Sequence, residues 1–225
     1  MVVKMSSLVK ETDPILKKEA EPVQLPLSDE DLETLRAMAV FLMESQTKEK
    51  DEDGTPYRKA VGIAAPQIGI SKQMFVTAIV DDENDLFVNA YINPHIDSVG
   101  SDMVKLTSGE GCLSVQSVEN GQVARYSTLR HTSYKVNLST GEVTKKVMGR
   151  LEGYEAIVFQ HEYDHLAGML FTDLFESKKE ENEPKKKETE KKETKPKAKP
   201  KKKETEKKEP KPKAKPKNKK KEKSE

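Results

Sequence analysis

The chain has 225 residues, with 40 Lys+Arg against 39 Asp+Glu, 34% hydrophobic residues and one cysteine. That length suits one domain of ordinary size plus an appendage, and a lone Cys112 excludes an intramolecular disulfide. The formal charge of +1 conceals two segments of opposite sign: residues 177–225 carry 23 Lys and 11 Glu, a net +12, which leaves 17 Lys+Arg against 28 Asp+Glu, a net −11, in residues 1–176.

Residues 1–27 read as irregular, broken by Pro14, Pro22 and Pro26. The opening M-V-V-K-M-S-S-L contains no apolar run long enough for a signal peptide, and no later stretch approaches the ~20 apolar residues of a membrane span. A reducing, cytoplasmic setting with no membrane partner is therefore expected. A helix is predicted from Ser28, a fitting N-cap, with Leu32, Leu35, Ala39, Leu42 and Met43 on one face. The polar stretch 46–58 reads as a long exposed loop. From about Gly62 to His131 short strands and turns follow. Among them Met74–Val80 and Leu86–Ile92 are β-rich, with Asn93-Pro94 closing the second. Tyr134–Leu138 and Glu142–Val147 flank Ser139-Thr140-Gly141 as a hairpin. The segment Y-E-A-I-V-F-Q-H-E-Y-D-H-L-A after Gly153 reads as a helix ended by Gly168, with apolar residues around its histidines. The fold class this implies is α+β: antiparallel strands packed around a central C-terminal helix, plus an N-terminal helix.

The remainder, 177–225, is a low-complexity Lys/Glu/Pro tail. A 16-residue unit, P-K-K-K-E-T-E-K-K-E-T-K-P-K-A-K (184–199), recurs at 200–215 with Thr194 replaced by Pro210. Such a unit has too little apolar surface to stack into a solenoid, and disorder is expected. Added solubility is the plain reading of its charge. Attraction to ribosomal RNA is the functional one, weakened by the interspersed glutamates.

The chemistry sits in Q-H-E-Y-D-H-L (160–166). Residues four apart on a helix share a face, so His161 and His165 could hold one metal ion, with Glu162 beside them as a base rather than a ligand. A catalytic site needs a third ligand and an open position. His95 and His131 read as surface residues at loop or strand ends. Cys112, in E-G-C-L-S (110–114), lies among glycines and polar residues rather than in an apolar run, and Gly111 allows close backbone approach. A buried apolar cysteine is the plain alternative. A Cys/His/His set suits Fe(II), Zn or Co, and affinity alone does not choose among them. A metal lowers the pKa of a water in the open position to near neutrality, and Glu162 would handle its proton. In V-G-I-A-A-P-Q-I-G (61–69), small residues permit close approach of a substrate backbone, and Gln67 can donate its amide to an oxyanion.

Together A-V-G-I-A-A-P-Q (60–67), E-G-C-L-S and Q-H-E-Y-D-H-L, with T-D-P-I-L (12–16), resemble the peptide deformylase family over roughly residues 8–175. The long loop at 46–58 is similar to the insertion of its Gram-positive form. The resemblance implies a hydrolase that removes the formyl group from nascent formylmethionyl polypeptides and releases formate. It makes Cys112, His161 and His165 the metal ligands and Glu162 the general acid/base. Gln67 and the Leu113 N–H become the oxyanion donors. The substrate backbone would lie along Val61, Gly62 and Gly111, with its methionine side chain near Tyr154, Ile157 and Val158. The implied metal is Fe(II), one per chain, with Ni, Co or Zn able to substitute. Glu110 is assigned a structural role, paired with an Arg such as Arg125. Ala60 departs from the family's first motif glycine. It leaves open a deformylase-like paralogue of weakened activity, and a zincin-like metallopeptidase or a non-catalytic RNA-binding protein are the remaining alternatives.

Overall fold

The computed structural model describes residues 1–81, 83–116, 122–144 and 146–175. Helix α1 spans Asp29–Thr47, and Ser28 caps it as predicted, its hydroxyl accepting from the Asp31 N–H. Its buried face is wider than the expected one and adds Met38 and Phe41, both 1% exposed or less. Strands β1 (Gly62–Ala64), β2 (Met74–Val80), β3 (Leu86–Val99), β6 (Thr128–Lys135) and β7 (Val147–Glu152) form one antiparallel sheet in the order β1-β2-β3-β6-β7. Strands β4 (Met103–Val104) and β5 (Arg125–Tyr126) pair separately. Helix α2 spans Gly153–Leu166. It ends as Gly168 turns left-handed, with the Met169 N–H bonding back to the Asp164 carbonyl.

Period-two alternation divides the sheet's two faces. Ile63, Met74, Val76, Ala78, Ala90 and Ile92 pack with Leu35, Met38 and Phe41 of α1. The intervening Ala64, Phe75 and Tyr91 pack with Ala156, Phe159 and Leu166 of α2. The architecture is therefore helix, sheet, helix, and β1, at the sheet margin, turns Gly62 and Ala64 toward α2. No helix among the described residues is long and apolar enough to cross a membrane.

Four local expectations need correcting. Asn93-Pro94 does not close β3; the strand runs on to Val99 through a register shift between Ile92 and His95. Asn93 takes φ 47° there, and a bulge is where a strand tolerates proline. The hairpin at Gly141, with φ 77°, forms where expected, Val136 bridging Val143 and the Asn137 N–H bonding to the Glu142 carbonyl, but its regular strands lie farther out, at 128–135 and 147–152. His131 is not at the surface: it is 1% exposed on β6, between Tyr91 and Phe159. A Cβ at the facing Gly149 would strike its Nε2, so a glycine on the neighbouring strand makes room for the ring. The loop 46–58 begins inside α1, and Lys50 pairs with Pro56 around a buried Asp51, whose carboxylate accepts from the amides of Met5, Asp53 and Thr55. The tail, 177–225, lies outside the described residues.

Candidate active site

Helix α2 carries His161, Glu162 and His165, buried against the sheet. Gln160, the first residue of the motif, fixes the helix against β5. Its amide donates to the Tyr126 carbonyl (2.9 Å) and accepts from the Tyr126 N–H (3.1 Å). The turn holding Cys112 approaches from the other side. One donor atom each from Cys112, His161 and His165 fall within 4.8 Å of one another, and Cys112 Sγ lies 3.4 Å from His165 Nε2. The predicted trio is thus brought together across 53 residues of chain.

The electrostatics suit a cation at this point. His161 Nδ1 is 2.8 Å from Glu110 Oε2, which directs the other ring nitrogen into the cluster. Burial alone would lower the His161 pKa, but hydrogen bonds with Cys112 and Glu110 outweigh it and raise it to about 10. Burial and the neighbouring His161 hold His165 well below its ordinary range, which keeps that ring a neutral donor. Two buried atoms of the site, Glu162 Oε2 and His165 Nδ1, have no partner among the described residues. One thiol and two imidazoles around a common point, with a free carboxylate oxygen beside them, fit a divalent metal of intermediate softness.

Burial lifts the Glu162 carboxyl to about 7, near the pKa wanted of a group that takes and returns a proton at neutral pH. Gln67 is 1% exposed and held in one orientation: its Oε1 accepts from the Ala64 N–H (2.8 Å) and its Nε2 points to Cys112 Sγ (3.4 Å). Among the described residues nothing accepts the Leu113 N–H. Both donors border a cavity of about 590 Å³. Val61, Gly62, Gly111, Tyr154, Ile157 and Val158, assigned to substrate binding from the sequence, all line it. Sequence reasoning missed Arg58, which lines the same cavity and donates to three carbonyls of the cysteine turn. No local signal marks a side chain whose partners lie more than fifty residues away.

The Glu110–Arg125 pair forms as expected, with Nε–Oε1 at 2.8 Å and Nη2–Oε2 at 2.9 Å, and Arg125 Nη1 reaches Asp164 on α2. The ring His161–Glu110–Arg125–Asp164 ties the cysteine turn to the helix. Burial would raise the Glu110 pKa, but Arg125 and His161 hold it down at about 2. The depressed pKa contributes stability that is fully present above the ordinary 4.5 and is lost as pH falls through about 2. Glu110→Gln should therefore flatten the denaturant midpoint between those pH values, removing about 3 kcal/mol of pH-dependent stability. A wild-type profile no steeper than the variant's would contradict this.

Ala60 keeps a negative φ, half-buried, with its carbonyl accepting from Gln46. No feature of the backbone demands glycine there, and Ala60→Gly is expected to leave kcat and KM within about threefold, a change near 0.6 kcal/mol. A tenfold gain in kcat/KM would mean that the methyl group obstructs substrate.

The family model described as polypeptide deformylase matches residues 5–181. Peptide deformylase 2 of Bacillus anthracis is 43% identical over 169 residues, covering 75% of this chain and 88% of the relative. Peptide deformylase of Halalkalibacterium halodurans is 43% identical over 172 residues, covering 76% and 91%. A crystal structure of the class I type b peptide deformylase of Acinetobacter baumannii bound to Met-Ala-Ser is 31% identical with a TM-score of 0.58, covering 77% of this chain and 98% of that one.

Proposed function

The chain belongs to the polypeptide deformylase family and is a metal-dependent hydrolase that removes the formyl group from nascent formylmethionyl peptides; we propose that Cys112, His161 and His165 hold one Fe(II), with Glu162 as general acid/base and Gln67 and the Leu113 N–H as oxyanion donors. A bound metal would supply Lewis acidity and an acidified water at its open position. The rest falls to the chain's own residues. Glu162 takes the proton of the attacking water and delivers it to the departing amine nitrogen. The formyl C–N bond breaks, yielding formate and a free N-terminus. As charge gathers on the formyl oxygen, Gln67 Nε2 and the Leu113 N–H, both buried and held in place by the fold, share it.

The observation that carries this reading is the buried Cys112/His161/His165 cluster, its donor atoms within 4.8 Å of one another, with a Glu162 carboxylate oxygen beside it that has no partner among the described residues. The substrate main chain would extend along Val61 and Gly62 at the free margin of β1 and past Gly111, with methionine against Tyr154, Ile157 and Val158. The Met-Ala-Ser held by the Acinetobacter enzyme supports a peptide with N-terminal methionine. Neither the endopeptidase nor the impaired paralogue gains support. Formate release from a formyl-Met tripeptide, by protein purified without oxygen and loaded with Fe(II), tests the assignment. Turnover that falls in air supports iron. No turnover with metal bound overturns the reading.

Residues 1–176 are proposed as the catalytic domain, working in the cytoplasm, and the tail as an electrostatic tether to ribosomal RNA. Full-length protein should sediment with ribosomes more than 1–176 does at low salt and lose that advantage as salt rises. Equal, salt-independent sedimentation of the two would dispose of the tether.

A further inference from the structure

We propose that Arg58 is a positioning residue for the reaction: its guanidinium grips the far side of the cysteine turn and so aims and polarises the Leu113 N–H. The inference rests on the reading of that N–H as an oxyanion donor. Arg58 Nη2 donates to the Cys112 carbonyl (2.9 Å), and Nη1 donates to the carbonyls of Leu113 and Val115 (3.0 Å each). Three carbonyls from four consecutive residues converge on one planar fork, an arrangement that a lysine ammonium could satisfy only in part.

The consequence follows from the peptide bond. The Cys112 carbonyl and the Leu113 N–H belong to one rigid trans unit and point in opposite directions. Holding the oxygen from behind fixes the direction of the N–H. A cationic donor on that oxygen also draws electron density from the amide and strengthens the N–H as a donor, since hydrogen bonds in series polarise one another. The Val115 N–H bonds the same carbonyl at 3.3 Å, so the turn closes on itself around the contact.

Arg58 is held for this task. The preceding Tyr57 donates its hydroxyl to Glu44 on α1 (2.9 Å), and Ala60 two residues on is held by Gln46 and Ser45 of the same helix. The 50–56 hairpin therefore presents Arg58 from a rigid base, at the point where the chain turns into β1. Both walls of the cavity, the approach to β1 and the cysteine turn, are joined through this one side chain.

The test uses full-length protein. Arg58→Lys keeps the charge and tolerates the exposed position; Arg58→Ala opens a space for rescue. With metal at wild-type stoichiometry, each variant should lose about 10- to 100-fold in kcat, the usual consequence of removing a group that orients a reacting-site residue, while KM changes less. Methylguanidinium should restore part of the Arg58→Ala loss. In Zn(II)-loaded, 15N-leucine-labelled protein the Leu113 amide resonance should shift in both variants, a change that lower stability alone would not produce. An Arg58→Lys protein with wild-type kcat, or a kcat loss with the Leu113 resonance unmoved, would overturn the proposal. Wild-type protein releasing no formate would instead sink the functional reading, and the resonance would still report the contact.

Discussion

The Glu162→Ala protein is expected to bind its metal as the wild type does and to release formate about 10²- to 10⁴-fold more slowly, the span associated with a positioned acid/base group. The same cluster should behave oppositely when a donor is removed. Cys112→Ala or His165→Ala leaves two protein donors where a catalytic centre needs three, and these variants should purify without stoichiometric metal. Metal content by elemental analysis beside kcat separates the two classes. A Glu162→Ala enzyme with wild-type turnover would remove the proton-transfer role; a Cys112→Ala enzyme with full metal would remove the ligand role.

Gly62→Ala should be nearly as damaging, although residue 62 contributes no side chain to the chemistry. A Cβ there would collide with Glu162 Oε1 and lie 2.7 Å from its Cδ and 2.8 Å from its Cγ. Half the Glu162 side chain, which is 3% exposed, would have to move toward the cavity it lines and away from its place over Gly62. Overpacking of this kind costs about 1–3 kcal/mol. The larger effect is on rate: a carboxylate pushed off its proton path should lower kcat by about 10²-fold or more, toward the Glu162→Ala value. Wild-type kcat in a folded Gly62→Ala protein would show that the carboxylate has another productive position.

The contrast between Gly62 and Ala60 shows what the sequence could and could not reveal. Two glycine positions of one motif looked alike as strings; only the paired strands show that residue 62 faces α2 and residue 60 does not abut the carboxylate. Local signals were read well where the cause is local: the Ser28 cap, the Gly141 turn and the glycine stop after α2. The metal trio was legible because helical spacing places two of its members. The strand through Pro94, the buried His131 and the Arg58 grip were not, since each depends on a partner strand or turn distant in sequence. The Glu110–Arg125 pair was foreseeable by charge, but Asp164 as its third member was not.

The interval from Arg58 to Gly62 has a bearing on how such chains can vary in length. Arg58 must reach the cysteine turn while Gly62 must lie beneath Glu162. A residue inserted or deleted between them would move one of the two, and a one-place slip in β1 would set Ile63 against the carboxylate. Within the 50–56 hairpin Asp51 and Asp53 are held by Met5 and Lys4, but at the tip a Cβ on Gly54 would meet nothing within 4 Å. Length changes among relatives should gather at that tip and be absent from the four steps that follow Arg58.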